Sequence, residues 1–350
     1  MRIKRLSAID LFCGVGGLSH GLREAGIRVA AGFDIDPKCR YPYETNIGAQ
    51  FVEQDVRTVT KTQLMRLWEP RSIRLLAGCA PCQPFSSYRR GLDTSTEEQW
   101  PLLGEFGRLV QEARPHVVTM ENVPRLVSAG IFKDFVRTLE DCGYEVSYKS
   151  CYGPEYGLPQ HRRRLVLLGS RIGRIEVPSG TYRAGGFTTV RDAISGLEPI
   201  ESGEVDADDP LHRSRRLTDI NLKRIRASRP GGTWHDWPSD LRSECHRRAS
   251  GATFKNVYAR MSWDEPSPTI TTMAYNFGTG RFGHPSQDRA ISLREAAILQ
   301  GFPASYRFVE PGGKVEFNPL GRLIGNAVPP VIAKGVGEAV MTHLGASADR

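Results

Sequence analysis

The sequence predicts an α/β protein: a doubly wound, mostly parallel sheet with a second, smaller and irregular domain set into its C-terminal half. Three observations lead there. From residue 6 to about 170, short apolar runs alternate with helix-like stretches, the pattern of strands joined by crossover helices. Chemically unusual residues (Asp34, Asp55, Cys82, Glu121) fall at the ends of those runs, where the ligands of such sheets sit. Near residue 175 the alternation stops, and it returns only near residue 293.

Residues 6–12 read as a buried strand, apolar around Ser7 and Asp10, followed by a glycine cluster and a helix over 18–25 that Gly26 ends. Residues 27–33 form the next run, closed by Asp34 and Asp36, and 51–56 a third, reaching Asp55. Residues 73–77 lead into a loop rich in cysteine and proline, and 117–120 into Glu121-Asn122. Helical patterns lie at 102–113 and 131–142, and a later strand at 165–168 follows a run of arginines. Residues 178–291 are irregular, with acids at 201–209 and then twelve Lys or Arg against four Asp or Glu over 211–260. Helices return at 293–300 and about 329–344.

The 350 residues are 39% hydrophobic and 25% charged, with a net charge of +8, which suits a globular chain with a polyanionic partner. No apolar stretch approaches the roughly 18–20 residues of a membrane span, and residues 1–9 lack the apolar run of a signal peptide. Seven cysteines, at 13, 39, 79, 82, 142, 151 and 245, are an odd number that argues against a disulfide framework and for a reducing, cytoplasmic setting.

Asp10-Leu11-Phe12-Cys13-Gly14-Val15-Gly16-Gly17 lies between a strand and a helix, with Asp34 about 20 residues on. Glycines let the backbone approach a ligand, and an acid at that distance suits ribose hydroxyls. The loop has neither the dinucleotide register nor a following Gly-Lys-Ser/Thr, so a nucleoside cofactor fits better than a nucleoside triphosphate. A hydride-transfer cofactor and a plain structural turn stay open. Gly78-Cys79-Ala80-Pro81-Cys82-Gln83-Pro84 has three readings: a turn with buried thiols, a redox pair, or a loop presenting Cys82 as a nucleophile. No second cysteine pair has the spacing of a zinc site. Glu121 at a strand end is either an ordinary acid before Pro124 or one held protonated to donate to a substrate ring. In Gln160-His161-Arg162-Arg163-Arg164, a strand starting at Arg164 would put Arg162 on the same face, where two guanidiniums suit a phosphate or a polarised carbonyl. The other reading of this run is a solvated face.

Taken in order, DLFCGVGG at 10–17, APCQPFS at 80–86, ENV at 121–123, QHRRR at 160–164, REAAILQGFP at 294–303 and GNAVPP at 325–330 resemble the DNA (cytosine-5) methyltransferase family. The resemblance implies a Rossmann-like methyltransferase sheet and S-adenosylmethionine as donor, with no metal. Phe12, Gly14, Val15, Gly16 and Gly17 would hold the donor, Asp34 its ribose, Ile35, Asp55 and Val56 its adenine, and Asn326 and Val328 its methionine end. Cys82 would be the nucleophile, Glu121 the acid at ring nitrogen 3 and Arg164 the partner of the base carbonyl. Arg162 would support that loop, and Pro81 and Gln83 flank Cys82 in the catalytic set. Cys13, Cys79, Asp34 and Ile35 replace commoner alanine, glycine, glutamate and aromatic residues.

The implied layout is a catalytic domain at 1–180, target recognition at 181–291 and a return to the catalytic domain at 292–350. The implied partner is double-stranded DNA, with a restriction endonuclease in the same system. An RNA cytosine methyltransferase on the same scaffold is the alternative. A monomer in the cytoplasm, at the nucleoid if prokaryotic, is expected, with the loop carrying Arg89 and Arg90 as a lid over a flipped base.

Overall fold

The computed structural model describes residues 5–81, 101–247 and 257–348. Cys82, Gln83, Arg89 and Arg90 lie outside them. The chain divides into two compact units. The first comprises Met1–Tyr156, Arg163–Thr181 and Ala327–Arg350, and the second Gly157–Arg162 and Tyr182–Asn326. The boundary expected at 292 lies inside the second unit, and the chain returns to the first at Ala327.

Among the described residues, the first unit holds a seven-stranded sheet in the order β3-β2-β1-β4-β5-β7-β6. The strands are β1 (Leu6–Leu11), β2 (Arg28–Asp34), β3 (Gln50–Glu53), β4 (Ile73–Gly78), β5 (Val117–Asn122), β6 (Glu145–Tyr152) and β7 (Arg163–Ser170). β1 to β5 run parallel, whereas β7 is antiparallel to both of its neighbours. The strand order reverses between β1 and β4, so the loops leaving these two strands diverge and open a crevice at the carboxyl edge. β3 is shorter than expected, because Asp55 caps a turn over Val56–Thr58.

Side-chain alternation divides the sheet's two faces. Ile9, Leu11, Phe33, Leu76, Val118 and Leu167 share one core with α3 (Lys61–Leu67), α4 (Pro101–Ala113) and α5 (Gly130–Asp141). On the other face, Asp10 meets Ser19 of α1 (Gly17–Glu24). α2 (Arg40–Ile47) lays Tyr43 against Gly32 of β2, where a Cβ would lie 2.3 Å from the ring.

The second unit contains α6 (Val190–Ile194), α7 (Asp219–Arg226), α8 (Glu244–Arg247), α9 (Leu293–Leu299) and α10 (Phe317–Asn326). Its described residues form isolated bridges instead of extended ladders, so many backbone carbonyls need other donors. Buried arginines supply them. Arg260 donates to the carbonyls of Ile225, Ser228 and His284. Arg289 bonds both carboxylate oxygens of Glu295 at 2.7 Å. Burial alone would raise the Glu295 carboxyl, but the Arg289 bonds outweigh it and hold it at about 2. Trp234 and Trp237 are core residues beside Leu217, Ile225 and Phe277.

α11 (Pro330–Ala348) returns to the first unit and crosses α1 closely at Gly21. There an added Cβ would lie 2.3 Å from the Pro330 carbonyl oxygen and 2.5 Å from the Ala333 Cβ. Gly21→Ala should therefore destabilise the protein by about 1–3 kcal/mol through overpacking. Gly104→Ala, in α4 with nothing among the described residues within 4 Å of the new carbon beyond its own helix backbone, should be neutral or stabilising by up to ~1 kcal/mol. Urea midpoints check both, and equal shifts for the two variants would refute the packing argument.

Candidate active site

The loop after β1 turns through left-handed backbone at Phe12 (φ 59°), Gly14 (φ 51°) and Gly16 (φ 92°), conformations that glycine adopts freely. Among the described residues other than its chain neighbours, no atom lies within 4 Å of where a Cβ on Gly14 would be, so the backbone there is open. The Gly14 amide donates to Asp34 Oδ2 at 2.9 Å and the Asp36 amide to Asp34 Oδ1 at 3.0 Å. Asp34 thus ties the ends of β1 and β2 together. Burial pushes its carboxyl up, and the amides of Asp36 and Gly14 pull it back. The next residue, Ile35, leaves 68% of its surface exposed. Val15 and Val56 are buried. Asp55 pairs with Arg57 at 2.6 Å, and those bonds hold its carboxyl below the usual range.

Open backbone, a tethered carboxylate and an exposed apolar side chain in this order suit a ligand with a ribose and a flat base. Arg108 of α4 braces the adjoining turn, donating to the carbonyls of Val56 and Val59. Asn326 ends α10 in the second unit, while Val328 belongs to the first.

The second cluster gathers at the carboxyl edge of β4 and β5. Glu121 is 5% exposed. Arg164 Nε lies 2.9 Å from its Oε1, and the Cys79 thiol donates to its Oε2 at 3.1 Å. Asn122, also buried, donates from Nδ2 to the Ala80 carbonyl at 3.0 Å and so fastens the chain one residue before Pro81. Pro81 is exposed, at the end of the described segment.

The arginine run divides differently from the expected alternation, because β7 begins at Arg163. Arg164 belongs to the first unit and meets Glu121, while Arg163 lies over the Tyr152 ring at 4.4 Å. Arg162 is buried in the second unit, donating to the carbonyls of Ile270 at 2.9 Å and Gly325 at 3.0 Å. Gln160, beside it, bonds the Leu299 carbonyl and Gln300. The basic stretch of the second unit also divides. Arg213 and Arg224 are partly buried and bond the carbonyls of Val315 and Leu241, whereas Arg215, Arg216, Arg226, Arg229 and Arg247 are exposed.

Sequence reasoning assigned no role to Asn122, Arg108 or the Asp10–Ser19–Tyr43 chain. An amide directly after a strand-end glutamate was a signal for the first. The other two are contacts between distant elements, and no local pattern marks them. Among the described residues, no group of three or more His, Cys, Asp or Glu is placed to hold a metal ion. No described helix is long and apolar enough to cross a membrane.

Residues 6–342 match the family model described as C-5 cytosine-specific DNA methylase. A Type II methylase of Herpetosiphon aurantiacus, M.HgiDII, is 47% identical over 97% of this chain and 96% of its own. A Type II methyltransferase of Haemophilus parahaemolyticus, M1.HphI, is 31% identical over 96% and 87%. Among solved structures, an Escherichia coli prophage protein assigned as a DNA modification methyltransferase superposes with a TM-score of 0.75 at 23% identity, over 97% of this chain and 99% of that one. This last likeness bears on the fold.

Asp10 sits beneath the open loop, 1% exposed. Ser19 donates to its Oδ2 at 2.7 Å and lies 2.9 Å from the Tyr43 hydroxyl. Burial, opposed by the Ser19 bond and reinforced by Asp34, pushes its carboxyl up from 3.8 to about 7. Between those values the folded chain binds more protons at Asp10 than the unfolded chain does. Stability from this group is therefore full below about pH 4 and lost as pH rises through about 7. Asp10→Asn removes the titration, so it should gain stability relative to the parent across that window, by about 4 kcal/mol at most. Denaturation at a series of pH values checks this; a difference that does not change with pH would contradict it.

Proposed function

The chain belongs to the C-5 cytosine-specific DNA methylase family and is a DNA (cytosine-5) methyltransferase, and on that premise we propose that it methylates a cytosine flipped out of double-stranded DNA through a covalent bond to Cys82. The observation that carries the site assignment is the buried Glu121 carboxyl with the Arg164 guanidinium against it. Ring nitrogen 3 and the carbonyl oxygen of cytosine are adjacent acceptors on one edge. A carboxyl that takes up a proton and a guanidinium on the neighbouring strand would form the matching pair of donors.

Carbon 5 of cytosine is a weak nucleophile. The Cys82 thiolate adds to carbon 6, and the electron pair of the 5,6 double bond moves toward carbon 5 and the ring. Glu121 donates its proton to nitrogen 3, and Arg164 stabilises charge on the carbonyl oxygen. S-adenosylmethionine, when bound, supplies an electrophilic methyl group. Once carbon 5 carries the methyl group, its proton passes to water, Glu121 recovers its own from nitrogen 3, and the carbon–sulfur bond breaks to restore the double bond and free the Cys82 thiolate. Asp34 and the open loop from Phe12 to Gly17 are the residues assigned to the donor, with Ile35, Asp55 and Val56 at its base and Asn326 and Val328 at its other end. Pro81 and Gln83 flank Cys82 in the sequence, and Arg162 is assigned to support the loop before Arg164. Extruding the base costs a few kcal/mol of stacking and pairing.

We assign target recognition to residues 181–291. Their exposed arginines supply phosphate contacts, which position the protein, while base-edge contacts specify the sequence. Both relatives are named as Type II enzymes, which supports a role as the modification half of a restriction system; the assigned setting is a monomer on DNA in the cytoplasm.

DNA containing 5-fluorocytosine tests the covalent step, because fluorine cannot leave as the proton does. With donor present, the parent should form a denaturation-resistant adduct and Cys82→Ser none. Glu121→Gln should slow methyl transfer by about 10²–10⁴-fold with donor binding little changed. An adduct in Cys82→Ser would remove Cys82 from its role, and parental turnover in Glu121→Gln would make Glu121 structural.

A further inference from the structure

We propose that Cys79 is a positioning residue for methyl transfer: its thiol holds the Glu121 carboxyl in its working orientation. The inference rests on the role assigned to Glu121 above. β4 and β5 pair in parallel with Gly78 opposite Met120, so the next residue on each strand, Cys79 and Glu121, meet just beyond the ladder. The thiol donates to Oε2 at 3.1 Å, whereas Arg164 Nε lies 2.9 Å from Oε1 as an ion pair without hydrogen-bond geometry, leaving Oε1 with no hydrogen-bond donor among the described residues. Among the described residues the Cys79 thiol is therefore the hydrogen-bond donor that orients this carboxyl, with the Arg164 charge beside its other oxygen.

A glutamate side chain has three rotatable bonds, and a single partner on β7 would leave the carboxyl free to pivot about that contact. The donor on the β4 side removes this freedom. Glu121 is 95% buried, so water is a poor replacement for a lost donor. Cys79 is itself anchored: its amide donates to the Leu11 carbonyl at 3.3 Å, and the Ala80 carbonyl is bound by Asn122. The thiol is thus presented from fixed backbone at the switch between β1 and β4. A sulfur hydrogen is a weak donor, so the expected effect is moderate.

Single-turnover methyl-transfer rates for a double-mutant cycle test this, with donor affinity and thermal midpoint measured for each variant. Cys79→Ala should slow transfer about five-fold at unchanged donor affinity, with a lower thermal midpoint because a buried carboxylate oxygen loses its donor. Cys79→Ser, which restores a donor, should recover most of the rate. In a Glu121→Gln background Cys79→Ala should add no further slowing. Equal slowing in both backgrounds, or no effect of Cys79→Ala on the parent, would overturn the proposal while leaving Glu121 in its role. A Glu121→Gln variant as fast as the parent would overturn both.

Discussion

A carboxyl buried at the end of a central strand must be met by donors from the strands beside it, and much of the first unit's architecture follows from meeting Glu121. Burying it without partners would cost several kcal/mol. β5 lies between β4 and β7. A parallel β7 would bring its C-terminal end to this edge. Because β7 is antiparallel, with Glu121 opposite Val166 and Asn122 opposite Leu165, its N-terminal residues arrive there and Arg164 reaches the carboxyl. The reversal of one strand thus places a guanidinium beside the buried carboxyl. From the other side, β4 ends in the segment that leads to Cys82, and Asn122 pins that segment's backbone.

The glycine loop after β1 depends on a second buried carboxyl. Asp10 is the residue before the last of β1 and pairs in register with Gly32 of β2 and Ala77 of β4. Its contact with Ser19 fixes the start of α1 beneath the glycine loop, and Tyr43 can complete the chain because Gly32 leaves room for its ring. Asp34, bonded to the Gly14 amide, then holds the loop from above. Two carboxylates, one under the turn and one across it, shape backbone that glycine alone would leave free.

The parallel half of the sheet was legible because β1, β2, β4 and β5 are buried and apolar, and because acids and the Cys82 loop mark their ends. β6 was not, since it is an edge strand of mixed exposure with no clear alternation. The reversed direction of β7 has no local signature. The α2, α3 and α10 helices went unread, α2 interrupted by Pro42 and α3 only seven residues long. Within the site, the family blocks pointed to Glu121 and Arg164, but their pairing is a contact across 43 residues that only the sheet order creates. Charge counting over 211–260 could not separate Arg224 and Arg260, which bond backbone carbonyls, from exposed Arg215 and Arg216. That division depends on which carbonyls lack ladder partners.

The central claim is that this edge of donors acts on carbon 5 of a cytosine in DNA. Nucleoside mass spectrometry after incubation with methyl-labelled S-adenosylmethionine reads that out, using duplex DNA and RNA of the same sequences in parallel. The account predicts label in 5-methyl-2′-deoxycytidine from the duplex DNA. Label on the exocyclic nitrogen, or label confined to the RNA, would contradict it.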